Sequence, residues 1–134
     1  ALADRAQPPD TAPCGAPGGP GTPVLSFTYV PPLGSWDVMK GQASHVVPAS
    51  YAIALYIHVP NYGWVKKPHF DGIIDIACDG SWSSEYVTGG NDAMADRLTA
   101  YLIPRTYGPP PVDKASDLPA ELDMNSKAKA TFTR

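Results

Sequence analysis

The chain has 134 residues, 13 of them acidic and 10 basic, for a formal net charge of -3. That length suits one domain with a modest core, and the charge balance lacks the clustered Lys and Arg that a phosphate backbone demands. The longest apolar stretch, residues 51–59, falls well short of the roughly 20 consecutive apolar residues of a membrane helix. Neither nucleic acid nor membrane insertion is expected.

The first 23 residues hold six prolines, four glycines and a single large aliphatic, Leu2. Nothing there can build a core, so residues 1–23 read as a Pro/Gly-rich extension and residues 24–134 as the folded domain. The chain opens on Ala1-Leu2-Ala3-Asp4 rather than on Met, without a charged segment followed by an apolar one, the expected look of an N-terminus processed during export. A leader this poor in apolar groups is ordered only if another surface holds it, either its own domain or a neighbouring copy. Cys14 and Cys78 have no Cys or His neighbour at zinc-ligand spacing, and with export expected they read as a disulfide, within one chain or between two.

Residues 24–30, VLSFTYV, form the first expected strand, with Leu25, Phe27 and Tyr29 on one face and Val24, Ser26, Thr28 and Val30 on the other. Pro31 and Pro32 withhold two ladder donors and end it. A second strand is expected over residues 38–46. The clearest is residues 51–59, where Tyr51, Ile53, Leu55, Ile57 and Val59 alternate with Ala52, Ala54, Tyr56 and His58, predicting a half-buried strand with its aliphatic face to the core. Residues 64–66 begin a short strand after the turn at residues 60–63. Residues 73–78 and 81–87 bracket Asp79-Gly80, the dipeptide of a type I′ hairpin, and predict two paired strands.

A helical turn at residues 93–96 precedes a strand at 97–103. Ser116 and Asp117 before Pro119 suggest a capped helical turn over 116–122, and residues 127–133 close the chain as a strand. Seven or eight short strands with turn punctuation predict an all-β fold: a single antiparallel β-sandwich, Ig-like or jelly-roll.

The series Val30-Pro31-Pro32-Leu33-Gly34-Ser35, residues 51–59, Trp64, Lys67-Pro68, Asp79-Gly80-Ser81-Trp82, Thr88-Gly89-Gly90-Asn91-Asp92 and Leu118-Pro119-Ala120-Glu121-Leu122-Asp123 resembles a β-sandwich module of secreted microbial proteins. It is similar to accessory domains appended to glycoside hydrolases. The resemblance covers residues 24–134 and implies a sandwich fold and an extracellular setting. No catalytic domain is expected to accompany the module.

Catalytic chemistry finds no constellation. Glycoside hydrolysis usually needs two carboxyls facing each other across a bond, yet the only glutamates are Glu85 and Glu121, and the eleven aspartates read as loop and turn formers. His45, His58 and His69 have no serine in a Gly-x-Ser-x-Gly elbow. His58, His69, Asp71, Asp75 and Asp79 follow no zinc or EF-hand spacing, so neither a metal nor another cofactor is expected, and the chain reads as a non-enzyme.

Two binding roles remain. In the first, the chain is a structural subunit of an extracellular or cell-surface fibre. It would polymerise with copies of itself, head to tail, by inserting Val24, Leu25, Phe27, Tyr29 and Val30 into the next subunit's sandwich, a heterologous contact that propagates into a linear or helical filament. In the second, it is a carbohydrate-binding module whose aromatics at loop edges, Trp36, Tyr62 and Trp64, stack on the apolar C–H surface of a polysaccharide. Trp82 reads as core.

Overall fold

A computed structural model describes residues 14–69 and 72–134. Residues 1–13 of the extension, with Phe70 and Asp71, lie outside the described residues. Seven strands form two antiparallel sheets: β1 (Val24–Tyr29), β2 (Met39–Ser44) and β5 (Ser81–Ser84) in the order β1-β2-β5, and β3 (Tyr51–Val59), β4 (Gly63–Lys67), β6 (Arg97–Pro104) and β7 (Ala128–Thr133) in the order β4-β3-β6-β7. This is the expected β-sandwich. One short helix, α1 (Ala120–Asn125), precedes β7. Among the described residues no helix is long and apolar enough to cross a membrane.

The main core lies between the sheets, where Leu25, Met39, Ile53, Leu55, Ile57, Trp82, Leu98 and Leu102 are buried. Both faces of β3 are closed, however. Ala52, Ala54 and Tyr56 join Tyr101, Ile103, Val112 and Leu122 in a second apolar cluster on the outer face of the four-stranded sheet. Residues 105–122 run back across that face, and Tyr56 donates its phenol hydrogen to the Pro110 carbonyl at 2.9 Å. The expectation of a half-buried strand is thereby corrected: alternation reports the side-chain period but not a connection that packs on the second face.

Two further corrections concern local pairing. Residues 73–78 do not form a strand against 81–84. The turn is present, with Gly80 N–H donating to Ala77 O at 2.8 Å, but β5 pairs with β2 over Met39↔Ser84 to Gln42↔Ser81, while Ile74 bridges to Ile53 in the other sheet. The Asp79-Gly80 turn therefore passes the chain from one sheet to the other. Helix α1 starts later than expected: neither Ser116 nor Asp117 caps it, Pro119 stands at its N-cap with no side-chain cap, and Leu122 is buried in the outer cluster.

The described part of the extension rests on its own domain. Cys14 and Cys78 form a disulfide within the chain, with Cα atoms 5.2 Å apart. His45 N–H donates to Pro17 O at 2.7 Å, and His45 Nδ1 meets the Gly19 carbonyl at 3.0 Å.

Candidate functional site

Among the described residues, a groove of about 1010 Å³ opens at one end of the sandwich, built from the β3–β4 turn, the end of β4, and the loop after β5. Its rim begins at residues 60–63. Asn61 and Gly63 take positive φ, 64° and 113°, which turns the chain tightly enough for Tyr62 N–H to donate to Val59 O at 3.0 Å. Gly63 is required twice over, since a Cβ there would also sit 2.6 Å from the Ala115 carbonyl oxygen.

Tyr62 is thereby lifted to the rim, 43 % exposed. Its hydroxyl donates to Asp113 Oδ1 at 2.6 Å, and Lys114 Nζ stands 5.6 Å from the ring centroid. The hydrogen bond to Asp113, before desolvation, raises the phenol pKa, so the ring stays neutral at ordinary pH. The Asp113 and Lys114 contacts hold one aromatic plate in position.

The floor comes from β4, whose successive side chains point to opposite faces. Lys66 is buried and donates from Nζ to the carbonyls of His69, at 3.1 Å, and Gly72. Lys67 is also buried, and its Nζ lies 2.6 Å from both Asp92 Oδ2 and Thr88 Oγ1. Asp92 also accepts the Thr88 backbone N–H at 3.0 Å and the Thr88 hydroxyl at 3.2 Å. This one carboxylate thus satisfies the Thr88–Asp92 loop and neutralises the lysine beneath it, as a buried charge requires. Exposed His69 and Asn91 line the opening.

The three aromatics singled out from sequence have different fates. Tyr62 is at the groove. Trp36, 69 % exposed, lies outside the groove lining on the connection between β1 and β2. That connection is braced by Tyr86 OH to Ser35 O at 2.6 Å and by Gly34 N–H to Ala93 O at 2.9 Å, so it is bonded to the Asp92–Met94 turn that carries the groove's buried carboxylate. Trp64 is corrected as a glycan contact: it is 7 % exposed, with His58 edge-on at 5.4 Å and the Arg97 guanidinium 5.2 Å from its centroid, leaving no free ring face.

The expected donor segment forms β1 of its own sheet. Val24↔Ser44 to Phe27↔Gly41 pair in register, and a bulge follows before Tyr29↔Lys40. Leu25 is core and Phe27 and Val30 pack on its border. The bulge turns Tyr29 outward, 40 % exposed, where it bonds Asp37 Oδ2 at 3.2 Å.

Sequence reasoning missed Lys67, Thr88, Asp92 and Asp113. The signal for Asp92 was available, because an aspartate closing a Thr-Gly-Gly-Asn-Asp loop can accept from the loop's own start. Its lysine partner, 25 residues away, was not readable. Among the described residues no group of His, Cys, Asp and Glu is placed to hold a metal. No protein-family model, curated protein or solved structure matches the chain.

Proposed function

We propose that this chain is a polysaccharide-binding module of a secreted or cell-surface protein, that the groove beside Tyr62 is its site, and that it binds without catalysing. The observation that carries the reading is the clamped, exposed Tyr62 ring at the rim of a mainly apolar groove that also carries polar side chains. A sugar ring presents an apolar C–H face to an aromatic plate and hydroxyls to surrounding polar groups, and His69, Asn91 and Asp113 supply such groups. A space near 1000 Å³ is at the upper end for a small-ligand cleft and leaves room for more than one sugar unit.

The way the charges are used supports binding rather than turnover. The acid and amine of the floor, Asp92 and Lys67, neutralise each other, so neither is held ready as a proton donor or nucleophile. Trp36, on a loop tied to the same turn, offers a second plate for a longer chain. The disulfide suits an oxidising compartment. A filament made by donating β1 would require that strand to leave the β2 register and uncover Leu25, whereas the groove needs no rearrangement.

The test is retention on insoluble polysaccharides of several linkage types, followed by titration with soluble oligosaccharides of any that retain the protein. Tyr62→Ala is expected to weaken binding about tenfold or more, which is about 1.4 kcal/mol, and Trp36→Ala to weaken binding of long chains more than short ones. Failure to bind any polysaccharide, or unchanged affinity in folded Tyr62→Ala, sinks the reading.

A further inference from the structure

A sheet edge presents unpaired N–H and C=O groups, and folded proteins cover, charge or shorten such edges. The outer side of β4 is covered: Trp64 and Ala115 exchange N–H to O bonds at 2.8 and 3.3 Å, and Lys66 N–H donates to Val112 O at 2.9 Å. β5 has only four residues. β7 carries Lys129 within it and Lys127 just before it. β1 is different, with six residues, VLSFTY, that include no charge and no proline.

The direction of its free groups follows from the pairing. Ala43 donates its N–H to Gly80 O, toward β5, and opposed residues in an antiparallel ladder alternate between hydrogen-bonded and non-hydrogen-bonded pairs. Leu25, opposite Ala43, therefore turns its N–H and C=O away from β2, and so does Phe27, opposite Gly41. Among the described residues nothing accepts or donates to these groups. Beside them Phe132, 42 % exposed, meets Phe27 edge-on at 6.5 Å.

We propose that β1 pairs antiparallel with β1 of a second copy of this chain, about a two-fold axis at Ser26, joining the two three-stranded sheets into one. Leu25 forms a hydrogen-bonded pair with the partner's Phe27, and Phe27 with the partner's Leu25. The composition fits this occupant: a two-fold places the residue on the axis opposite its own copy, so a charge at the centre would face a like charge. The exposed serine at the axis avoids that repulsion. The bulge after Phe27 keeps the seam short, and Phe132 lies next to it. The contact is isologous and closes on itself, unlike a head-to-tail filament.

At such an axis the two Ser26 Cα atoms form a non-hydrogen-bonded pair about 4.5 Å apart, within disulfide reach. Oxidised Ser26→Cys is expected to run as a thiol-sensitive dimer, and Ser83→Cys, on the opposite edge of the sheet, as a monomer. In sedimentation equilibrium the unaltered protein is expected to dimerise reversibly. Ser26→Lys or Ser26→Glu alone should weaken the dimer at least tenfold, and mixing the two should restore it. Near-UV circular dichroism shows whether each variant is folded; if the Ser26 charge variants are not, Thr28→Lys beside the seam carries the same comparison. The proposal is overturned by a monomer at about 1 mM, the weak end of specific association. It is equally overturned by a folded charge variant that dimerises unchanged, by equal cross-linking at both positions, or by filaments in place of dimers.

Discussion

Gly41 on β2 lies directly opposite Trp82 on β5, and the indole occupies the space that a side chain at position 41 would need: a Cβ there would overlap its Cζ2 and Cε2 atoms. Phe27 closes the other side of the indole edge-on, at 5.7 Å. Gly41→Ala is therefore expected to destabilise the fold by about 1–3 kcal/mol through overpacking, read as a lower urea midpoint with little change in slope. Trp82→Phe, which removes atoms on the contested side, should make the double variant less unstable than the sum of the two single changes.

Lys67 and Asp92 form a buried pair whose side chains are only 8 % and 12 % exposed. Lys67→Met strands the carboxylate with Thr88 as its remaining partner, and a loss of about 3–5 kcal/mol is expected. Lys67→Met combined with Asp92→Leu removes both charges and should recover much of that loss. Urea unfolding of the three variants checks the order. A double variant as unstable as the worse single one would mean that the Thr88–Asp92 loop, rather than charge, dominates.

The Cys14–Cys78 bond closes a loop with a sequence separation of 64. Constraining the unfolded chain over that length is worth about 4 kcal/mol on the loop-entropy model. Cys14→Ser with Cys78→Ser should lower the unfolding free energy by about 2 kcal/mol or more, within the usual 2–5 kcal/mol for a native disulfide in a small domain. The loss should appear in reduced wild-type protein as well, and thermal melts with and without thiol measure it.

Three of the seven tyrosines should resist alkali most strongly. Burial, ahead of nearby charge, pushes Tyr101 up to about 12; burial, ahead of the hydrogen bond to Glu121, does the same for Tyr107; and burial raises Tyr56 further. A folded-state pKa above the unfolded value of about 10 contributes stability that is fully present below pH 10 and is lost as pH rises through the folded value. Phenolate absorbance should therefore rise in two stages, the second coinciding with loss of the folded circular dichroism signal between about pH 10 and 12. Tyr56→Phe, which removes the deepest of these phenols, should reduce the second stage.

The residues that declared themselves in the sequence were those whose partners matched their own period. Residues 51–59 and 97–103 read as strands because Ile53, Leu55 and Ile57, and Leu98, Ala100 and Leu102, repeat every second position. Trp82 read as core and is 3 % exposed. What failed depended on distant chain. No local pattern shows that residues 105–122 cover Tyr56 and Tyr101, that Ile74 bonds Ile53 rather than its hairpin neighbour, or that Arg97 seals Trp64. The groove was half legible. Tyr62 stood out as an aromatic in a Pro-Asn-Tyr-Gly turn, whereas Lys67 fell just past the strand expected at 64–66, and it is β4, running to Lys67, that carries it beneath the Thr88–Asp92 loop.

The stretch packed over the outside of β3 and β6 has a practical consequence for anyone trimming the protein. A chain cut down to the seven strands would lay bare Tyr56, Tyr101 and Ile103 as a greasy wall and strand the Tyr56 phenol without its acceptor. A trimmed chain should therefore keep the sandwich together with its lining, and a graft that displaces Val112 or Leu122 disturbs the interior rather than decorating a loop.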